Sequence, residues 1–543
     1  MVSAVLRDYL PSFFLRCAPT DAGRGSTAMI DPWTVILLGL CAVLGVLRWH
    51  LAGRNPVAAR NLPRMPFTSS LADAFEDIRI TAHLFQQGLG QPHHMLNRFS
   101  KKYGPVFSVT LPYVRIVILS SYDAIREAFQ NQFLNDRPVI QVLKHGVKGH
   151  GVAFSSGETW KVQRKMVLNF LRAFGVNRTS FEEKIALEAS HLNAELQQLG
   201  GRPFDPSHLF ANAVSNIICS VVFGQRYEYS DPRFKKLLRA VYRNVAIIGG
   251  STGPLQMLPF AYLLKPFLSV LKETEDNGKL INSFARDVLE DHQKDFDPKN
   301  PRDFTDVFLR KMAAEGAGDD NGTDNNNEDD ESILSVHNMC ATASDLFMAG
   351  TETTSTSLRW GLLYMLAYPD VLAKVQRELD SVVGRDRLPT MSDKPRLPYT
   401  EATLMELQRI ANILPLGIPH QASQDTTLQG YDIPKGSVIM PNMWGLSTDS
   451  ELWDEPEAFR PERFLDETEQ NVIKHEAHIP FSIGRRMCIG EQLAKMELFI
   501  FLTHLFHQFT IKKPEDSPPV SFKGIMGVTL SPLPYKVCVV PRS

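Results

Sequence analysis

The segment Phe481-Ser482-Ile483-Gly484-Arg485-Arg486-Met487-Cys488-Ile489-Gly490 constrains the fold more than any other stretch of this chain. It sets a single cysteine between two glycines, just ahead of the long apolar stretch EQLAKMELFIFLTHLF. A helix beginning near Gly490 would turn the positive end of its dipole toward Cys488, and that field favours a thiolate. Gly484 and Gly490 are expected to allow backbone turns that side chains would block. Phe481 by itself reads as an ordinary core aromatic. The chain has 543 residues, whereas one hydrophobic core usually stops growing at roughly 250–300. A large group bound at such a thiolate can hold a longer chain around one centre.

The other five cysteines, Cys17, Cys41, Cys219, Cys340 and Cys538, are scattered and form no C-x-x-C pair. That excludes a zinc site or a disulfide scaffold, and each reads as a small buried hydrophobe. With 58 basic and 60 acidic residues the net charge is -2. No charge bias points to nucleic acid.

At the N-terminus, Trp33 to Leu47 is a 15-residue run without charge. It is short against the ~20 residues of a bilayer span, but Ile30, Trp49 and Leu51 extend it. Trp33 and Trp49 stand where interfacial aromatics belong, and Arg48, Arg54, Arg60 and Arg64 mark a cytosolic side. Residues 29–51 therefore read as a membrane helix, with a cleaved signal peptide as the rival reading. Residues 52–66, with Pro56, Pro63 and Pro66, read as a stiff linker. Residues 1–28 form an N-terminal extension. Its Asp8 and Asp21 count against a mitochondrial presequence, so a mitochondrial pool is the minor reading of location. Residues 67–543 form the main domain. Within it, residues 314–332 hold an acidic low-complexity run that cannot order itself by burial and reads as a disordered loop.

Helical patterns dominate the body, with a few short strands. Residues 158–173, 180–199 and 276–293 show helical spacing. Val106–Leu111 and Val114–Leu119 read as one hairpin. Gln429–Pro434 and Ser437–Met440, around Lys435-Gly436, read as another. A long helix is expected from about Ser335 to Ala367, stopped by Pro369. Its centre, Asp345-Leu346-Phe347-Met348-Ala349-Gly350-Thr351-Glu352-Thr353-Thr354, is poor helix material, since a glycine alone costs about 1 kcal/mol. A local widening of the helix is expected there.

Four elements then fall in order: Trp160-x-x-x-Arg164, Ala349 to Thr354, Glu406-Leu407-Gln408-Arg409, and the Phe481–Gly490 segment. Phe459-Arg460-Pro461-Glu462-Arg463-Phe464 lies between the last two. Together they resemble the cytochrome P-450 family over about residues 29–543. The resemblance implies a mostly α fold with small β-sheets. It implies haem b (iron protoporphyrin IX) as cofactor, with the Cys488 thiolate as the ligand to its iron and Phe481 packed beside the sulfur to exclude water. Arg486, Trp160, Arg164 and His420 resemble the family's haem-propionate contacts. Ala349 and Gly350 would leave room for dioxygen beside the iron. Thr353 and Glu352 would be the catalytic pair that brings protons. Glu406 and Arg409 would pair with Arg463 in a structural role.

The implied activity is insertion of one oxygen atom of O2 into a C–H bond of a lipophilic substrate. No dinucleotide, flavin or iron–sulfur segment is legible, so NADPH-cytochrome reductase is the expected partner, with cytochrome b5 as a second donor. Lys161, Lys165, Arg485 and Lys495 would attract an acidic partner. A haem-thiolate isomerase and a non-catalytic haem sensor are the alternatives, and Glu352-Thr353 argues against both. Ile418-Pro419-His420 and Gly490-Glu491-Gln492-Leu493-Ala494-Lys495 resemble the microsomal family-2 group, implying the endoplasmic reticulum membrane with a cytosolic catalytic domain. Asn212 to Ser220 and Phe223-Gly224-Gln225-Arg226 resemble its subfamily U, which hydroxylates long-chain fatty acids. The chain departs from that subfamily in the acidic loop and at 137–155, which leaves a broad steroid or xenobiotic oxygenase as the alternative. Phe347, Ala349, Leu414 to Ile418 and Ile525 to Val528 are expected to line the cavity.

Overall fold

Ser335 starts the longest described helix by accepting the N–H of Asn338 on its side chain at 3.2 Å, the usual service of a serine N-cap. Helix Val336–Ala367 then runs 32 residues. Pro369 opens the next helix, Pro369–Val382, in a first-turn position where its missing N–H costs nothing. The computed structural model describes residues 62–63, 91–111, 114–139, 149–174, 179–250, 269–314 and 332–542. The extension, the membrane helix and the linker other than Leu62 and Pro63 lie outside the described residues. So do the acidic loop between 314 and 332 and the turn at 112–113. Among the described residues no helix is long and apolar enough to cross a membrane.

The helices that carry the site are, in chain order, α1 (Tyr122–Gln130), α2 (Gly157–Phe174), α3 (Ser207–Val222), α4 (Pro232–Gly249), α5 (Val336–Ala367), α6 (Pro398–Ala411) and α7 (Glu491–Gln508). The strands are β1 (Val106–Leu111), β2 (Val114–Leu119), β3 (His420–Gln421), β4 (Thr426–Leu428), β5 (Tyr431–Ile433), β6 (Val438–Pro441), β7 (Phe509–Lys512), β8 (Gly524–Met526), β9 (Leu530–Pro532) and β10 (Cys538–Pro541). One four-stranded sheet has the order β1-β2-β6-β3, and three pairs complete the strands. The expected hairpin at β1 and β2 forms, Val106 facing Leu119. The hairpin expected around Lys435-Gly436 does not. Instead β4 and β5 pair around Gln429-Gly430, both at positive φ, as a tight two-residue turn requires. Strand β6 leaves to lie parallel to β2.

Helix α5 is the spine. It is α-helical throughout, so the widening expected near Gly350 is absent. A Cβ on Gly350 would fall 2.5 Å from Cδ1 of Ile218 on α3. At Gly361 the same helix meets Leu407 of α6 and Leu502 of α7, where a Cβ would lie 3.1–3.2 Å from both. Glu406 and Arg409 are fully buried on α6. Arg409 Nε donates to Glu406 Oε2 at 2.7 Å, and Arg463 Nε donates to Oε1 at 3.1 Å. Arg409 also donates to the carbonyls of Ser447 and Pro456. One carboxylate shared by two guanidiniums, with carbonyls taking further N–H groups, satisfies charges that would be costly to bury alone.

Candidate active site

The cysteine loop is shaped by backbone. The N–H of Cys488 donates to the Phe481 carbonyl at 3.0 Å, and the N–H of Arg485 donates to the Phe129 carbonyl at 3.3 Å. Gly484 sits at φ +78, and a Cβ there would lie 2.2 Å from that same Phe129 oxygen. Only glycine fits. Gly490 differs from the expectation. It caps α7 at φ −89, and its Cβ would meet nothing closer than the Cys488 sulfur at 4.0 Å. Its N–H, directed at Cys488, is what serves the sulfur. Cys488 has an exposed face, yet the atoms packed around its sulfur raise the thiol by desolvation, while this N–H and the Arg164 guanidinium pull it back. The Phe481 ring lines the adjoining hollow and carries the Lys495 ammonium over its face at 5.4 Å.

Arg486 is buried on the other side of the loop. Its Nε donates to Asn135 O at 2.9 Å and its Nη2 to Ser155 O at 2.7 Å. Its guanidinium lies 4.0 Å from the ring centroid of Trp160, a cation–π shelf. Nη1 is buried with no partner. Arg164, one turn beyond Trp160 on α2, donates to Met487 O at 2.7 Å. His420 is buried, stacked on Phe129 at 4.1 Å, with Nδ1 against Leu134 O at 2.9 Å. Burial, Arg137 and Arg486 hold its pKa well below the ordinary value. With the proton on Nδ1, Nε2 donates only as imidazolium, a form that a neighbouring anion would favour.

Sequence reasoning missed Arg137. It reaches Ile418 O and Pro419 O at 3.1 and 2.8 Å and Ala153 O at 3.1 Å. Burial, with Arg164 next, pushes it down to about 9. Arg486 is likewise pushed down to about 9, by burial first and Arg137 next. The one signal was the dipeptide Arg137-Pro138 at the head of a segment expected to line the pocket. Three guanidiniums that depress one another, with one buried N–H group left over, suit a ligand bearing carboxylates. The propionates of haem fit that demand, and the residues present therefore fit the cofactor.

On α5, Ala349 is exposed and Thr353 half-open, although most of the helix centre is buried. Thr353 Oγ1 donates to Ala349 O at 2.7 Å. Thr353 and Phe481 line one open hollow with Leu407, Ile413, Leu414 and Ala494. Thr353 on α5 and the cysteine loop thus face a common space. Gly350 does not. A Cβ there would meet the side chain of Ile218 on α3. Phe347 also belongs to the core, 1% exposed and packed near Phe223 and Phe284. Gly527 is buried against α4. Glu352 is buried, and none of its hydrogen bonds goes to Thr353. Its oxygens accept from Thr529, Thr356 and Ser531, and burial raises its pKa. Of the four basic residues expected to attract a partner, Lys161 is paired with Glu158 and Lys495 with Glu491.

This geometry agrees with what the chain is similar to. The cytochrome P450 family model matches residues 75–539. The chain belongs to the cytochrome P450 family: it is a monooxygenase whose cofactor is haem. Human cytochrome P450 2U1 is 39% identical over 532 residues, covering 94% of this chain and 95% of that one. Rat cytochrome P450 2J3 is 39% identical over 517 residues, covering 94% and 97%. Human cytochrome P450 2J2 is 38% identical over 517 residues, covering 95% and 97%. Within the P450s, the chain is a member of family 2.

Proposed function

We propose that this enzyme hydroxylates long-chain fatty acids near the methyl end, drawing them from the endoplasmic reticulum membrane to which residues 29–51 anchor it. A separate NADPH-cytochrome reductase supplies electrons, and the sum is RH + O2 + NADPH + H+ → ROH + H2O + NADP+. The observation that carries the reading is the hollow shared by Thr353 and the cysteine loop, where the hydroxyl face of α5 meets the apolar Leu407, Ile413 and Leu414.

In this reading Cys488 supplies the thiolate ligand to haem, and such a ligand pushes electron density that favours O–O cleavage. The residues divide the remaining work. The Phe481 ring and the N–H of Gly490 shield and stabilise the sulfur. Arg486, Arg137, Arg164 and His420 hold the two carboxylates, with Trp160 as the shelf beneath Arg486. Thr353 carries a proton on Oγ1 at the wall of the hollow, and Glu352 replenishes it. Ala349, exposed one turn before Thr353, leaves room for dioxygen.

The substrate class is supported by the resemblance to subfamily U and by the apolar part of the lining. Leu407, Ile413 and Leu414 line the hollow and can pack an alkyl chain. Each buried methylene contributes about 0.8 kcal/mol, so a long chain needs little polar recognition. The enzyme reconstituted with the flavoprotein reductase and NADPH should give a substrate-binding spectral shift and hydroxylated product with arachidonate and with a saturated fatty acid. Product and shift with a steroid or a drug-like aromatic, and none with either fatty acid, would refute the lipid assignment.

A further inference from the structure

Glu352 and Thr353 are adjacent in sequence but lead in different directions. Thr353 opens on the hollow. The Glu352 carboxyl turns toward the C-terminal hairpin of β8 and β9. Thr529, in the turn of that hairpin, donates from Oγ1 to Glu352 Oε2 at 2.5 Å. Thr356 Oγ1 donates to Oε1 at 3.0 Å, and Ser531 Oγ donates to the same oxygen at 3.3 Å. Both oxygens are therefore held from outside the hollow, and the shortest of these bonds comes from Thr529.

The turn that carries Thr529 is itself fixed. The N–H of Val528 donates to the Val245 carbonyl in the last turns of α4 at 3.0 Å, and the N–H of Gly527 donates to Thr529 O at 2.8 Å. A Cβ on Gly249 would fall 1.9 Å from the Gly527 carbonyl carbon, so α4 and the turn meet backbone to backbone. From the other side, Arg359 Nη2 donates to Pro532 O at 3.1 Å and Trp360 Nε1 to Leu530 O at 2.8 Å. The hairpin is thus registered on both α4 and α5. The charged and titratable neighbours of the carboxyl are Arg359 on α5 and Tyr242 on α4, the latter's hydroxyl bonded to Ser355 at 2.6 Å. The hairpin itself presents only neutral hydroxyls.

We infer that Thr529 is a positioning residue for oxygen activation: by holding Oε2 of Glu352 it sets where that carboxyl points and when it gives up its proton. The inference rests on the reading of Glu352 as the proton source. The turn is clamped to α4 by Val528 and to α5 by Trp360 and Arg359, so the Thr529 hydroxyl is presented to Glu352 from a fixed frame. Thr529 is not a catalytic residue. It acts through Glu352.

Thr529→Val keeps the shape and removes the hydroxyl, and Thr529→Ser returns it. A hydroxyl that donates to a carboxylate favours the ionised form, so its loss should raise the Glu352 titration midpoint. The population change should be about five- to tenfold, the equivalent of one hydrogen bond. Infrared spectroscopy of the resting holoenzyme reads this without turnover. The protonated-carboxyl C=O band that is absent in Glu352→Gln should move to higher frequency and higher midpoint pH in Thr529→Val, and return in Thr529→Ser. In the reconstituted system, product per NADPH should fall and H2O2 should rise in Thr529→Val, with the thiolate-haem CO band intact. Normal coupling in Glu352→Gln would overturn the reading of Glu352 as proton source. Loss of coupling in Glu352→Gln, with band, midpoint and coupling unchanged in Thr529→Val, would overturn the inference alone.

Discussion

The two glycines around the cysteine should respond unequally to alanine. At Gly484 the backbone sits at φ +78, a region that costs an L-residue about 1–2 kcal/mol. The new methyl would lie 2.2 Å from the Phe129 oxygen and 2.7 Å from its carbonyl carbon, so the loop must lift away from α1. Overpacking against a part that cannot yield adds about 1–3 kcal/mol. Together these make about 2–5 kcal/mol, a large share of the ~5–15 kcal/mol that holds a protein folded. Lifting the loop also strains the hydrogen bond from Arg485 to Phe129. Gly490→Ala meets neither obstacle: φ is −89, and the methyl stands 4.0 Å from the sulfur. Its cost should be that of a poorer helix cap, up to about 1 kcal/mol. Thermal unfolding of the two holoenzymes, with the fraction retaining the CO-difference band, measures both. Gly484→Ala should unfold far earlier and hold less haem. Equal losses, or a worse Gly490→Ala, would refute the reasoning from backbone geometry.

Cys488→Ser should abolish the red-shifted Soret band of the reduced, CO-bound enzyme; its survival would assign the ligand to another cysteine. Asp345 predicts a pH dependence of stability. Its carboxyl, on α5, accepts the N–H groups of Val152 and Ala153 at 2.8 Å each, and burial pushes it up to about 7. An unfolded aspartate loses its proton near pH 3.9. Between about pH 4 and 7 the folded chain therefore binds more protons, so stability is highest at the acid end of this window and falls as pH rises, by up to about 1.4 kcal/mol per pH unit. Asp345→Asn keeps an acceptor for both N–H groups and removes the titration, so its unfolding midpoint, compared at acid and neutral pH, should lose that slope.

The parts of the site legible in the sequence are those whose partners lie within the motif. Cys488, the helix behind it and the Trp160–Arg164 turn sit in local patterns that physical chemistry can read directly. Arg137 was not legible because its acceptors, Ile418 and Pro419, lie some 280 residues further along the chain. The pairing of β6 with β2 was lost for the same reason: Lys435-Gly436 does make a turn, but the strand it releases joins a distant neighbour.

The centre of α5 teaches a different point. Its low helix propensity signals demand, but it does not say what is demanded. Gly350 lies against the Ile218 side chain of α3. Thr354 faces α7, where it serves the buried Glu497, whose carboxyl burial pushes up to about 8. Glu352 looks to the C-terminal hairpin, whereas Thr353 and Thr354 both border the hollow. Successive residues of a helix point about 100° apart, so one short motif can address four neighbours at once. A motif read as a single device is therefore several. The chemistry of Thr353 depends on how far the other contacts hold the helix still.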